Sequence, residues 1–159
     1  MNTFALVIQR EKVKKGNRTS VQWREEIQVD GQRCGQNYCL DYYELVRSLS
    51  ADGDYFIFTC GCGEAGCAGI SEGIRIRYAA GVVEWHVVEP APEQRFRFAE
   101  QQYAQAIHAG LSAATKALPS KGTFPLGYTF FSRTQFKQCV ETAQIACERI
   151  EFAGAFGRD

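Results

Sequence analysis

Ile74-Arg75-Ile76-Arg77-Tyr78-Ala79-Ala80-Gly81-Val82-Val83-Glu84-Trp85-His86-Val87-Val88 is the stretch whose pattern decides the fold. Ile74, Ile76 and Tyr78 alternate with Arg75 and Arg77; Val83, Trp85 and Val87 alternate with Glu84 and His86. A period of two places one set of side chains on each face of a strand. Ala79-Ala80-Gly81 supplies the turn, so the stretch predicts an antiparallel hairpin with one apolar face. Such a face has to be covered by a second layer.

The flanking segments supply the strands and helices for that layer. Upstream, Phe4–Gln9 reads as a first strand and Lys12–Arg18 as a basic turn region centred on Gly16-Asn17. Val21, Trp23, Ile27 and Val29 mark a half-buried second strand whose apolar face is broken by Glu25, and Asp30-Gly31 ends it with turn chemistry. Asp41 has the character of an N-cap, with Glu44 at the reciprocal capping-box position. Tyr42, Leu45, Val46 and Leu49 then form one face of a short helix that closes at Asp52-Gly53. Tyr55–Thr59 is a continuous apolar run, which predicts a central strand covered on both faces.

Downstream, Glu89-Pro90-Ala91-Pro92 is extended, and Phe96 and Phe98 mark a last short strand. A long helix is predicted from Ala99 to Leu118, with Tyr103, Ile107, Leu111, Ala114 and Leu118 as its apolar stripe. Pro119–Gly122 breaks it, and Phe124–Phe131 is aromatic and irregular. Ser132 and Gln135 form a second capping box, opening a final helix marked by Phe136, Val140, Ala143, Cys147 and Ile150; residues from Gly154 to Asp159 are expected to fray. The element order predicts a single α+β domain over residues 1–159. Its mostly antiparallel sheet of about six strands carries one short and two long helices.

Composition narrows the function. The chain has 45% hydrophobic and 23% charged residues, and eighteen basic residues balance eighteen acidic ones. A net charge of zero argues against a general polyanion binder, because non-specific nucleic-acid affinity comes from neutralised phosphates. The N-terminal apolar run has no basic residue before it and no small-residue cleavage site, and no window approaches a membrane span. Seven cysteines in a chain without an export signal fit reduced thiols or metal ligands better than a disulfide framework. These features together predict a cytoplasmic protein that does not engage a membrane.

Chemistry concentrates in Cys60-Gly61-Cys62-Gly63-Glu64-Ala65-Gly66-Cys67-Ala68-Gly69. Thiolates at 60, 62 and 67 could supply three of the four ligands of a structural zinc, with the glycines letting the backbone converge them. His86 is the candidate fourth ligand, with Cys34 or Cys39 as alternatives. The competing reading is a glycine-rich connection whose small thiols are simply buried; a redox pair is a further one. A catalytic cysteine would need a base, and neither His86 nor His108 has a spacing that marks it as one. Lys12, Lys14, Lys15 and Arg18 could meet phosphates or an acidic partner, and Arg75, Arg77, Arg95 and Arg97 could add a basic sheet face; a solvated surface is the simpler reading of both. The aromatic run Tyr128, Phe130, Phe131 could be a recognition patch or could pack under the helices.

The Cys-x-Cys-Gly-x-x-Gly-Cys core, the hairpin with Trp85 in its second arm, and Phe96, Phe98, Gln101 and Tyr103 beyond it resemble a group of uncharacterised bacterial proteins. The resemblance spans roughly Tyr55 to Ile107 and implies that core and hairpin form one structural unit; it implies no activity. With polar chemistry dispersed and no phosphate loop or nucleophile elbow, the sequence argues against an enzyme rather than for one. The expected function is a small binding protein that occludes a specific protein partner, most simply an immunity-type toxin inhibitor, with a phage-type inhibitor of a host defence protein as a variant. A zinc- or thiol-dependent enzyme and a zinc-knuckle-like module associated with nucleic acid are the alternatives from other classes. Nucleic acid is not the expected partner.

Overall fold

The structure, a computed structural model, describes residues 1–118, 123–126 and 129–156. Strands β1 (Phe4–Lys15) and β2 (Arg18–Val29) pair antiparallel in unbroken register, from Phe4↔Val29 to Lys15↔Arg18. β3 (Gln32–Cys34) adds to the other edge of β2. The expected basic turn over Lys12–Arg18 is therefore strand except for Gly16 and Asn17. Exposed lysines do not interrupt a ladder whose hydrogen bonds are all main-chain.

β4 (Cys39–Leu40) precedes helix α1 (Tyr42–Arg47), and β5 (Gly53–Tyr55) and β6 (Phe58–Thr59) follow it. β4 pairs with β6. β7 (Ile74–Ala79), β8 (Val82–Val87) and β9 (Gln94–Ala99) form a four-stranded sheet in the order β5-β7-β8-β9. Helix α2 (Glu100–Ala117), the hairpin of β10 (Thr123–Leu126) and β11 (Thr129–Ser132), and helix α3 (Arg133–Phe156) complete the chain. Every strand pairing is antiparallel, with one short and two long helices, as expected of the α+β class. The strands are divided among four small ladders rather than gathered in one sheet.

The two larger sheets meet where the chain begins. Asn2 N–H donates to Arg97 O at 2.7 Å, and Arg97 N–H donates to Asn2 Oδ1 at 2.9 Å, so the start of β1 lies beside β9. Two residues on, Phe4 stands edge-on to Trp85, Phe98 and Tyr103, with ring centroids 5.4, 5.3 and 4.8 Å away. All four side chains are buried. α2 lies over this cluster and over β1, burying Tyr103, Ile107, Leu111 and Ala114 as its stripe predicts. Gly110 sets the closeness of that contact, because a Cβ there would come within 2.4 Å of Leu6 O.

The end of α1 is tied to three neighbours. Ser48 Oγ is 2.7 Å from the Tyr103 hydroxyl, the Tyr78 hydroxyl donates to Ser48 O, and Arg149 of α3 donates to Leu49 O. Asp41 caps α1 as expected, accepting from the N–H groups of Tyr43 and Glu44. Glu44 does not complete the expected capping box. The Asp41 N–H is already held by Ile57 O, so the Glu44 carboxylate turns to the Phe56 N–H and to Arg47. Ser132 and Gln135 do form the reciprocal box expected at the start of α3.

One further expectation is corrected. Tyr55–Thr59 is not a central strand. Phe56 is 40% exposed and the run splits there, leaving β5 at the edge of one sheet and β6 in a separate two-stranded ladder. Helix α3 continues to Phe156, into the segment expected to fray; residues 157–159 lie outside the described residues. The predicted break at Pro119–Gly122 and the side chains of the aromatic run Tyr128, Phe130 and Phe131 also lie outside them.

Glu25, which interrupts the apolar face of β2, is buried beneath α1 and accepts from the Tyr42 hydroxyl. Burial raises its pKa above the ordinary carboxyl value, against smaller opposing effects of the Tyr42 hydroxyl and the Leu40 N–H. The folded protein therefore holds this proton more tightly than the unfolded chain does. Between the ordinary carboxyl pKa and the raised one, stability falls as pH increases. Glu25→Gln, titrated with urea across that window, should lose this fall and be more stable than the parent at neutral pH. Gly110→Ala should cost about 1–3 kcal/mol in the same assay, as an overpacked helix–strand contact does.

Candidate metal centre

The residues from Cys60 to Gly69 form a folded loop anchored at both ends. Phe58 and Thr59 of β6 are buried on one side, and Ile70 is buried on the other. Between these anchors Gly63 N–H donates to Cys60 O at 3.0 Å and Cys60 N–H donates to Glu64 O at 3.2 Å, closing a tight turn over the first two cysteines. Gly63 takes a φ of 85°, a left-handed conformation that any side chain would disfavour. A 3-10 turn over Gly66–Ala68 then carries Cys67 back toward the first pair. Ala68 N–H and Ile70 N–H both donate to Ala65 O, and Ala65 and Ala68 pack against the core.

This path gathers the three sulfurs. The Sγ atoms of Cys60, Cys62 and Cys67 all lie within 4.8 Å of one another. Thiolates ~2.3 Å from a tetrahedral zinc stand about 3.8 Å apart, so the loop needs only a small contraction to meet that geometry. The Cys62 N–H already donates to Cys60 Sγ at 3.2 Å, a contact that favours the thiolate form. Hydrogen bonding from the Cys62 thiol, with the Glu64 and Cys62 main chain adding to it, brings the Cys60 pKa down to about 7. Cys67, which shares its proton with the other two sulfurs, is pushed up to about 11. Binding a metal at such a site releases the protons the thiols still hold.

Burial separates these three cysteines from Cys34, Cys139 and Cys147, while Cys39 is half-buried like Cys60. Cys62 and Cys67 are exposed and Cys60 is half-buried, whereas Cys34, Cys139 and Cys147 are buried; none of the seven is in a disulfide. Burial pushes Cys34 and Cys139 up to about 11, the behaviour of thiols that serve as small hydrophobes. That bland reading fits those residues and not the loop, where two exposed cysteines converge on a half-buried third.

His86, Cys34 and Cys39 are not drawn into the cluster. His86 Nε2 lies 2.6 Å from Glu93 Oε1, on the outer face of β8 between Arg75 and Arg95. Cys34 Sγ is 3.9 Å from Gln94 Oε1. Cys39 pairs across the ladder with Thr59, the residue before Cys60, and its side chain interacts with the buried Tyr42. Among the described residues, the protein brings three ligand atoms together and not four. His108, the other histidine considered for catalysis, lies 3.2 Å from Ser112 Oγ on α2.

One surface feature has no signal in the sequence. Beside the loop is a hollow of about 530 Å³, lined by Asp41, Glu44, Phe56, Glu64, Ala65 and Ile70 among others. Its exposed Phe56 was hidden in an apolar run that read as buried strand. The outer face of β7-β8-β9 carries Arg75, Arg77, Arg95 and Arg97, as the alternation predicts. Three of the four are paired: Arg75 with Asp54, Arg95 with Glu93 and Arg97 with Glu84. That face is largely self-neutralised.

No family model, curated protein or solved structure matches the chain. Among the described residues, no helix is long and apolar enough to cross a membrane.

Exposure sets an order of thiol reactivity. With a water-soluble alkylating reagent and mass-spectrometric mapping, Cys60, Cys62 and Cys67 of the metal-free native protein should be modified first. Cys34, Cys139 and Cys147 should be labelled only at the rate of unfolding.

Proposed function

We propose that the protein is a non-catalytic binding module whose Cys60–Cys67 loop holds a zinc ion through three thiolates, leaving the fourth position to solvent or to a donor from a bound partner. One observation carries this reading: three sulfurs, two of them on exposed residues and one on a half-buried one, within 4.8 Å of one another on a loop fixed at both ends. A purely packing role would bury those sulfurs, and an all-sulfur donor set suits zinc among the common divalent ions. Three thiolates outweigh the charge of the ion and weaken its pull on a bound water, which favours a structural or docking role over hydrolysis. Neither His86, beside Glu93, nor His108, beside Ser112, joins the sulfur cluster to serve it as a base, which supports the same choice. A site of reduced thiols also suits the cytoplasm.

The partner in this reading is a protein that the module occludes, as an immunity-type inhibitor does. Its support is the hollow beside the zinc loop, where Phe56, 40% exposed, stands among Asp41, Glu44 and Glu64. An exposed aromatic ringed by carboxylates suits a basic partner surface with an apolar anchor.

Protein purified under reducing conditions should contain one zinc per chain. Cys60→Ser, Cys62→Ser and Cys67→Ser should each lower zinc affinity at least ~10-fold in a chelator competition, the scale at which disturbing a metal site registers. Cys34→Ser should leave affinity unchanged. Zinc content below a tenth of an equivalent in folded parent protein, or equal retention by all four variants, would defeat the proposal.

A further inference from the structure

The balanced charge of the chain conceals a segregated distribution. Residues 10–24, the outer part of the β1–β2 hairpin, contain six cations and one carboxylate, leaving twelve cations and seventeen carboxylates for the rest. From Gln9 on one strand to Arg24 on the other, no residue is buried, and of the ribbon's side chains Trp23 packs against the edge of the core. Arg24 is engaged by Glu11 and Glu26. The other five cations, Arg10, Lys12, Lys14, Lys15 and Arg18, take part in none of the ion pairs among the described residues.

The register fixes where these charges point. Arg10, Lys12 and Lys14 share one face, spaced at about 6.8 Å by the two-residue repeat of a strand. Their cross-strand partners on that face are Trp23, Val21 and Thr19. Lys15 and Arg18, opposite each other beside the Gly16-Asn17 turn, lie on the other face. The arm is therefore cationic on both faces, and one face also carries a half-buried indole and an exposed valine.

We propose that this arm is a nucleic-acid-binding element that enters a groove of duplex DNA. A two-stranded ribbon has the width that the major groove admits. A ribbon lying in a groove is flanked by phosphates along both edges, within reach of long, flexible lysine and arginine side chains from either face; a flat acidic patch on a protein surface is reached from one face alone. Lysine and arginine contact the phosphates, and Val21 and Thr19, both exposed, present apolar and hydroxyl groups to base edges. This element is independent of the thiol site and extends the protein's partners beyond a protein alone.

The test uses the full-length chain and a mixed-sequence 20-base-pair DNA duplex carrying a fluorophore, titrated by anisotropy across a range of salt concentrations. Five phosphate contacts predict that log K falls against log salt with a slope of about −4.5. Arg10→Ala/Lys12→Ala/Lys14→Ala alters only exposed positions and should reduce the slope by about 2.7. Arg95→Ala/Arg97→Ala, on the separate sheet face, should bind as the parent does. Circular dichroism confirms that each variant is folded. Parent protein with no salt-dependent affinity for the duplex overturns the proposal, as does an arm variant that binds like the parent. Tighter binding to the corresponding single strand, or equal binding to polyglutamate, overturns the assignment to duplex DNA and points to a different partner.

Discussion

The structure depends on one aromatic contact. Phe4, near the start of the chain, stands edge-on to Trp85, Phe98 and Tyr103, and so links β1 to β8, β9 and α2. Edge-to-face aromatic pairs contribute about 0.5–1.5 kcal/mol each beyond the area they bury. Here they also decide geometry, because the two larger sheets share only a short main-chain junction at Asn2 and Arg97. Once Phe4 is seated, α2 can lie across both sheets with Gly110 against Leu6 O. The Tyr103 hydroxyl then reaches Ser48 and fixes the end of α1.

That framework explains how the thiol loop is held. α1 begins at Asp41, whose N–H is bound by Ile57 O, one residue before β6. β6 and Ile70 are the two fixed ends of the loop. Its geometry therefore rests on the core, while its sulfurs remain at the surface. A cluster held this way suits an ion whose position matters to a partner, since each ligand is kept in place without being enclosed. The arm is the opposite case: past Gln9 none of its residues is buried, and apart from Trp23 at the edge of the core its strands are held chiefly by their own ladder and by the Arg24–Glu11 ion pair.

Much of the fold is legible in the sequence, because several signals are local. The alternation in Ile74–Val88 gives the observed pairing of Arg75 with His86 and of Ile76 with Trp85. The Asp41 cap, the Ser132–Gln135 box and the stripe on α2 follow from spacing within a turn or two of helix. Other features depend on distant residues. Tyr55–Thr59 is apolar enough for a buried strand, yet the Phe56 N–H is taken by Glu44 and the run divides. Glu44 itself is diverted because another residue reached the Asp41 N–H first. The convergence of Cys67 on Cys60 and Cys62 requires a 3-10 turn that glycine content permits without specifying. Charge segregation was invisible to the totals because it depends on which residues fold into the arm.

The central claim is that three thiolates, and not four protein ligands, hold a zinc ion on an exposed loop. X-ray absorption at the zinc edge measures this directly in protein purified under reducing conditions. The account predicts three sulfur neighbours at about 2.3 Å and a single lighter atom at about 2.0 Å from the metal. A shell of four sulfurs, or one dominated by nitrogen and oxygen, would contradict it.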